Sequence, residues 1–268
     1  MKTRSAVSYF GSDSEVAEEI AILLRGCTHV TIPFCGGLSI LPHLSARAVV
    51  ANDLHHHAIV FYRTLSGPYG PQLIDRCRRT LSHPHELRDA VEILKGSRTS
   101  DDVSQAWAFW AACWIGRKGK AGTKHIGGMP SIRRTADGGT NSTRVQSAAA
   151  DLVAWAEHFK RCEWECDDFR NVLAKCSDSS GCGIYCDPPW FGAGRNYLHE
   201  FTDKDHVDLA CKLDSFTKTR ILVRYGDCPE ARAIYANWDV LERSSRTQAN
   251  AETNEVWFVR NHDLRIVE

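Results

Sequence analysis

The chain has 268 residues, of which 43% are hydrophobic and 25% are charged, and its formal net charge at pH 7 is +0. This composition is typical of a globular protein with a hydrophobic core, and it excludes the disordered and collagen-like classes. At roughly 150 residues per domain, the length predicts one large domain or one domain with an insert. Because the charges balance, any attraction for nucleic acid must come from local clusters of basic residues.

The cysteine content and the N-terminal segment predict the compartment. The chain has 11 cysteines, an odd number, and its N-terminal segment lacks the apolar stretch of a secretory signal. No run approaches the roughly 18 apolar residues of a membrane-spanning helix. We therefore expect a cytoplasmic protein with mostly free thiols. We expect no membrane partner, no metal and no obligate protein partner.

The first 65 residues alternate between helix and strand patterns. A helix is predicted at 14–25, a strand at 27–34, a glycine turn at 36–37, a short helix near Pro42, a strand at 46–53 and a helix at 55–65. Such alternation is typical of parallel sheets with crossover helices.

Residues 66–146 interrupt this alternation. Short helices are predicted within 72–95 and an aromatic-rich helix at 101–116, after which the chain is rich in glycine and basic residues. We expect an insert that is helical at first and loop-like afterwards. Its loop-like part supplies the candidate nucleic-acid contacts, which are Arg117, Lys118, Lys120, Lys124, Arg133 and Arg134.

The alternation resumes after the insert. Helices are predicted at 147–160, 203–216 and 229–236, and strands at 162–169, 182–186, 219–226, 238–246 and 255–261. A short helix is predicted between the strands at 162–169 and 182–186. The last two strands have the pattern of a terminal antiparallel pair. We predict an α/β fold with a mostly parallel sheet, in which residues 1–65 and 147–268 form the two parts of one domain.

Informative residues follow four of the predicted strands, and in open α/β sheets ligands bind at the carboxyl ends of strands. These residues are Phe34-Cys35-Gly36-Gly37, Asn52-Asp53, Asp167-Asp168-Phe169 and Asp187-Pro188-Pro189-Trp190. A glycine turn lets a ligand approach the backbone closely, and a carboxylate can accept both hydroxyl hydrogens of a ribose. Each motif alone is more often a turn or a helix cap, but their joint occurrence predicts a nucleoside-type cofactor pocket.

Two further clusters have simpler interpretations. Trp107, Phe109, Trp110 and Trp114 lie at near-helical spacing, which favours the core of the insert over stacking on bases. His55, His56 and His57 start the helix that follows the second strand, where we expect solvated side chains. The alternative is that one of these histidines lies near the cofactor.

The four strand-end motifs, in this order, resemble those of the Dam-like adenine-specific DNA methyltransferases, which belong to the alpha group of amino-methyltransferases. The resemblance is carried by "PFCGG" at 33–37, "ND" at 52–53, "DDF" at 167–169 and "YCDPPW" at 185–190. In addition, "YFGSDS" at 9–14 resembles the first motif of the family and "NEVWFVRN" at 254–261 its last strand. The resemblance implies a Rossmann-like methyltransferase sheet with a target-recognition insert.

The resemblance also implies the partners and the site residues. S-adenosylmethionine would be the methyl donor, and the substrate would be an adenine flipped out of double-stranded DNA. Cofactor contacts would come from Tyr9, Phe10, Phe34, Cys35, Gly36, Gly37, Asp53, Asp168 and Phe169. Asp187 and the Pro188 carbonyl would accept hydrogen bonds from the adenine amine, and Trp190 would stack on the base. Pro188 and Pro189 would stiffen the turn at residues 187–190, which is called the corner below. Such a protein would be bacterial or phage-type and nucleoid-associated when on DNA.

The residues leave two alternatives open. An aromatic face beside Asp187 would also suit the N4 amine of cytosine or an adenine in RNA. A catalytically decayed DNA-binding module is the second alternative, because Asp13 and Ile32 occupy positions where the family usually has lysine and glutamate.

Overall fold

The computed structural model describes residues 5–9, 16–116, 128, 138–192, 197–246 and 252–262. Phe10, Asp13 and the candidate nucleic-acid contacts between 117 and 134 lie outside the described residues. The chain divides into two compact units. The first unit comprises Met1–Glu15, Gly36–Pro42 and His55–Trp164, and the second comprises Val16–Cys35, His43–Leu54 and Glu165–Glu268. The insert boundaries at 66 and 146 stay a prediction.

The described residues form a seven-stranded sheet with the order β3-β2-β1-β4-β5-β7-β6. The strands are β1 (His29–Ile32), β2 (Ala48–Asn52), β3 (Cys162–Glu165), β4 (Cys182–Cys186), β5 (Arg220–Gly226), β6 (Asp239–Arg246) and β7 (Glu252–Arg260). β2, β1, β4 and β5 pair in parallel, whereas β7 pairs antiparallel with both β5 and β6. The predicted α/β fold with a terminal antiparallel pair is therefore confirmed.

Helices precede or connect these strands. They are α1 (Ala17–Leu23), α2 (His56–Ser66), α3 (Gly70–Arg79), α4 (Pro84–Leu94), α5 (Asp102–Ile115), α6 (Asn141–Phe159), α7 (Phe169–Ala174), α8 (Asp203–Asp214) and α9 (Pro229–Ile234), with a 3₁₀ turn at Leu41–His43. Most lie within a few residues of the sequence prediction. α6 starts earlier than predicted because the Thr140 hydroxyl accepts a hydrogen bond from the Thr143 amide at 3.2 Å and caps the helix.

The predicted strand at 162–169 is shorter in the structure and ends at Glu165. Asp168 is instead the N-cap of α7, since its Oδ1 accepts a hydrogen bond from the Arg170 amide at 2.8 Å. A capping residue has extended backbone angles but begins a helix, and the sequence pattern alone does not separate these two roles.

The aromatic residues of α5 are buried, as predicted, and they lie in the first unit, whereas the insert whose core they were expected to form stays a prediction. Trp107, Phe109, Trp110 and Trp114 are all buried. The Trp107 indole donates a hydrogen bond to the Thr80 hydroxyl at 2.8 Å, and the Trp114 indole donates one to the Ala6 carbonyl at 3.1 Å. Buried indole N–H groups need such partners, and these bonds join α5 to other segments of its unit.

In the second unit, the two faces of β5 and β7 have different chemistry. One face packs into an apolar core together with α8, and it includes Ile221, Val223, Tyr225, Val256 and Phe258. Because side chains alternate along a strand, Arg224 and Gly226 of β5 lie on the opposite face, as do Glu255 and Trp257 of β7. Arg224, on this second face, contacts Asp187 of the candidate site.

A buried amide joins three chain segments at the carboxyl edge of the sheet. Asn52, at the end of β2, is 1% exposed. Its Nδ2 donates to the carbonyls of Pro33 and Asp167, both at 2.9 Å, and its Oδ1 accepts from the Asp167 amide at 2.9 Å. Asn52 thereby fixes the loops that follow β1 and β3 to the end of β2.

We predict that Asn52→Ala lowers the free energy of unfolding by roughly 2–4 kcal/mol, because three hydrogen bonds are lost and their partners remain buried. Asn52→Asp should also destabilise, since its carboxylate would face two carbonyl oxygens. Asn171→Ala is the matched control, because Asn171 is exposed and donates one hydrogen bond to the Asp167 side chain. Urea unfolding would measure all three, and equal effects of Asn52→Ala and Asn171→Ala would contradict the prediction.

Candidate active site

The Asp187 carboxylate lies at the carboxyl end of β4. Asp187 directly follows Cys186, which pairs with Val223 of β5. Its Oδ1 accepts a hydrogen bond from the Trp190 indole at 3.2 Å, and its Oδ2 accepts one from Arg224 Nη1 at 2.9 Å. The side chain is 18% exposed. Two donors from different segments of the chain therefore orient this carboxylate.

Arg224 connects Asp187 to a second carboxylate. Its Nε and Nη2 donate to the two oxygens of Glu255 at 2.8 and 2.7 Å. The side chains of Arg224 and Glu255 are 8% and 2% exposed. Sequence reasoning missed both residues, although Arg224 interrupts the apolar run "ILVRY" and Glu255 directly precedes the apolar run "VWFV". That pattern is the signal that could have found them, because buried charges are rare unless they are paired.

Trp190 occupies a place that a glycine leaves open. A Cβ atom at Gly226 would lie 2.7 Å from Trp190 Cε3, which is closer than atoms can approach without movement. The Arg224 guanidinium lies 5.3 Å from the indole centroid. One side of the indole therefore packs against the backbone of β5, and stacking of a base on Trp190 stays a prediction.

An aromatic stack anchors the residue that follows the corner. The rings of Phe191 and His206 are stacked with centroids 3.7 Å apart. His206 is 2% exposed, and its Nδ1 lies 2.8 Å from the Tyr225 hydroxyl oxygen. Burial lowers the pKa of His206 to about 4, so the imidazole is neutral at neutral pH. Pro188 is buried and Pro189 is half-buried.

Two of the predicted cofactor residues, Phe34 and Cys35, follow β1 in the second unit. The Phe34 ring lies 5.4 Å from Phe169 and 5.5 Å from Phe201, measured between centroids. Cys35 is buried, and its amide donates to the Asn52 carbonyl at 2.8 Å. Aromatic surface and backbone groups therefore follow β1.

The Asp168 carboxylate binds the Arg170 side chain, which lies in the same unit. Both of its carboxylate oxygens accept hydrogen bonds from Arg170 Nη1, at 3.0 and 3.2 Å. Arg170 also binds Asp205 and Asp208 on α8, and its guanidinium lies 4.4 Å from the Phe169 ring centroid. The carboxylate is thus committed to a link between α7 and α8.

Burial raises the pKa of the Tyr197 phenol, the charges of Asp187 and Asp53 raise it further, and Arg224 opposes the increase. Tyr197 was not among the predicted site residues, because an isolated tyrosine carries no recognisable pattern.

The predicted residues of the first unit lie around Gly36. Gly36 has φ +46°, a left-handed conformation that favours glycine, and the Tyr9 ring lies 3.5 Å from where a Cβ would be. The Tyr62 hydroxyl donates to the Gly36 carbonyl, and Gly37 is buried. The Tyr9 hydroxyl oxygen lies 3.1 Å from His55 Nδ1.

The expectation of solvated histidines is wrong for His55, which is 5% exposed. The Phe109 ring packs edge-on against it, with centroids 5.1 Å apart. His56 is exposed and His57 is half-buried, because the three side chains point in different directions around the start of α2.

Two other site classes have no support in the described part of the chain. Its residues contain no group of three or more histidine, cysteine, aspartate or glutamate side chains that could hold a metal ion. The helices of that part include none with the length and hydrophobicity to cross a membrane.

Comparison with known proteins supplies the family. The model of the D12 class N6 adenine-specific DNA methyltransferase family matches residues 9–249. The chain belongs to this family. The resemblance inferred from the strand-end motifs is thereby confirmed. No curated protein matches the chain.

Solved structures give a weaker likeness to this D12-class chain. One match is the "Crystal structure of SMU.472, a putative methyltransferase complexed with SAH", with a TM-score of 0.30 and 11% sequence identity. The alignment covers 70% of this chain and 55% of that one, so the chain spans just over half the length of the matched protein.

We predict that Gly226→Ala in this D12-class protein displaces the Trp190 indole, because the added Cβ would overlap it. The crystal structure of the variant should show Asp187 Oδ1 without its indole donor, and the melting temperature should fall. Gly181→Ala is the matched control, since a Cβ there would lie 3.4 Å from the Thr28 hydroxyl, an ordinary contact. An indole that stays in place in Gly226→Ala would refute this account of its packing.

We predict that acid destabilises the protein through His206. In the unfolded chain, the pKa of His206 is about 6.5, whereas burial in the folded state lowers it to about 4. The free energy of unfolding should therefore fall by roughly 3 kcal/mol as the pH is lowered through this window. His206→Asn should reduce that slope, although His262, whose pKa is also lowered to about 4 by burial, should keep part of it. Urea unfolding from pH 7 to pH 4 tests this, and an unchanged slope would count against it.

Proposed function

We propose that the protein transfers a methyl group from S-adenosylmethionine to the N6 amine of an adenine that is flipped out of double-stranded DNA. The observation that carries the proposal is the Asp187 carboxylate at the end of β4. It is oriented by Arg224 and Trp190 and is still partly exposed. The chain's membership of the D12 class supports the same chemistry.

The chemistry of the adenine amine explains why this carboxylate is needed. The lone pair of N6 is delocalised into the purine ring, so the amine is a weak nucleophile. Hydrogen bonds from its two N–H groups to Asp187 and to the Pro188 carbonyl would favour a tetrahedral nitrogen with an available lone pair. As the bond from the methyl group to N6 forms and its bond to the sulfonium breaks, which would leave a neutral thioether, N6 becomes positively charged until it loses a proton to solvent. A fixed carboxylate beside N6 stabilises that charge.

Residues of the second unit fit part of the proposed cofactor. The rings of Phe34 and Phe169 suit a purine, and the Asp53 carboxylate suits the two ribose hydroxyls. The assignment of Tyr9 and Gly36 to the methionine part rests on the family motifs in the sequence. When bound, S-adenosylmethionine supplies an activated methyl group on a positively charged sulfur.

The role of Asp168 needs revision within this proposal. Its carboxylate binds Arg170, so we assign recognition of the cofactor's adenine to the aromatic rings of Phe34 and Phe169. Asp168 then acts by capping α7 and so fixing Phe169, the first residue of that helix.

The DNA part of the proposal rests on family membership and on the sequence. A base inside a duplex cannot reach a carboxylate at a strand end, and flipping it out costs a few kcal/mol. Contacts to the phosphate backbone would offset that cost. We assign them to Arg117, Lys118, Lys120, Lys124, Arg133 and Arg134.

We predict that Asp187→Asn lowers the rate of methyl transfer at least roughly ten- to a hundredfold, because a hydrogen bond to a charged acceptor is worth about 1.5–3 kcal/mol. The measurement uses duplex oligonucleotides and labelled S-adenosylmethionine, followed by digestion to nucleosides. N6-methyladenosine in its deoxy form is the expected product. Asp239→Asn is the control, since Asp239 is exposed at the start of β6, and calorimetry should show that both variants still bind the cofactor.

Other results would point to the alternatives. Deoxycytidine methylated at N4, or product only with RNA, would keep the reaction and change the substrate. DNA binding without any heat of cofactor binding in the wild type would favour a decayed module, for which the departures at Asp13 and Ile32 provide a reason. Full activity of Asp187→Asn would remove Asp187 from the mechanism.

A further inference from the structure

Arg224 and Glu255 form an ion pair that is almost fully buried. Their side chains are 8% and 2% exposed. β5 is mostly apolar around Arg224, and β7 is apolar from Val256 to Val259, directly after Glu255. Removing two charges from water is costly, and an apolar pair of similar volume often stabilises a fold as well or better. The pair therefore calls for an explanation beyond stability.

We propose that Arg224 and Glu255 are positioning residues for Asp187, which hold its carboxylate in one orientation and keep the corner negatively charged. This inference rests on the proposed function, because it assigns these residues a part in that reaction. Neither residue contacts the reacting atoms in this account, since both act through Asp187.

Glu255 fixes the orientation of the Arg224 guanidinium. Glu255 binds Nε and Nη2 at 2.8 and 2.7 Å, a two-point contact that fixes the guanidinium plane. The remaining group, Nη1, is thereby directed at Asp187 Oδ2, 2.9 Å away. Without Glu255, the arginine could rotate and the carboxylate would lose its fixed donor.

Glu255 also determines the net charge of the group formed by Asp187, Arg224 and Glu255. Asp187 and Arg224 alone would form a neutral pair, which would stabilise a developing cation on the substrate poorly. Glu255 adds a negative charge, so that the three groups together carry a formal charge of about −1 when all are ionised. Arg243, opposite Glu255 in the register of β6 and β7, is matched separately by Glu19 at 3.1 Å.

The competing explanation is that the pair only joins β5 to β7. That role would require the ion pair but would not depend on Asp187. The two explanations differ in what happens at the corner when Glu255 loses its charge and keeps its shape.

The test compares Glu255→Gln with the wild type. Single-turnover methyl transfer at saturating cofactor and duplex DNA should slow by roughly tenfold or more, since small errors in orientation have large effects on rate. Dissociation constants for S-adenosylmethionine and DNA should stay close to the wild-type values. Arg224→Lys keeps the charge without the two-point contact and should also slow transfer. Glu242→Gln is the control, because Glu242 is exposed on β6 and pairs with Arg232.

A second measurement does not require activity. The ¹H–¹⁵N resonance of the Trp190 indole, assigned with Trp190→Phe, reports the hydrogen bond to Asp187 Oδ1. It should shift in Glu255→Gln and in Arg224→Lys and stay unchanged in Glu242→Gln. If the wild type methylates no nucleic acid, the proposed function fails, and the indole resonance alone decides the inference. An indole resonance at its wild-type position in both Glu255→Gln and Arg224→Lys would overturn it.

Discussion

The arrangement at the end of β4 depends on one buried cation. Arg224 contacts two carboxylates at once, Asp187 and Glu255, and its guanidinium also lies beside the Trp190 ring. Because the planar group donates in fixed directions, it converts the flexible Asp187 side chain into an oriented acceptor. Gly226 contributes by leaving room for the indole that binds the other oxygen. The rigidity of the corner therefore comes from β5 and β7 as much as from its two prolines.

The carboxyl edge of the parallel strands imposes a second constraint. Several loops leave the sheet at this edge, and their backbone groups need partners when they are buried. Asn52 supplies three of these partners with a single side chain. Phe34 follows Pro33, whose carbonyl accepts one of these hydrogen bonds, and Asp53 follows Asn52 itself. Both residues therefore have defined positions. The candidate cofactor site is built on loops that the strand ends hold in place.

The sequence predicted the fold more completely than the site. Strand β4 occurs at the predicted residues 182–186, because its apolar run is bounded by a serine-rich segment that ends at Gly181 and, after Asp187, by two prolines. Errors arose where a local side chain determined an element's end, as with the Asp168 cap that shortens β3 or the Thr140 cap that lengthens α6. His55 was expected in solvent, because its neighbours in sequence are histidines and its burial depends on Phe109, which is 54 positions away along the chain.

The sequence by itself determined the alternation of strands and helices, the motifs after four strands, and through them the family of the protein. These features are local, since a strand end and the residues that follow it are neighbours along the chain. Only the tertiary structure decided which side chains serve the Asp187 carboxylate. Arg224 and Glu255 come from strands that are distant in sequence, and the antiparallel register of β5 with β7 brings them together on one face of the sheet. Register is set by packing and pairing across the whole sheet, and no short segment contains that information.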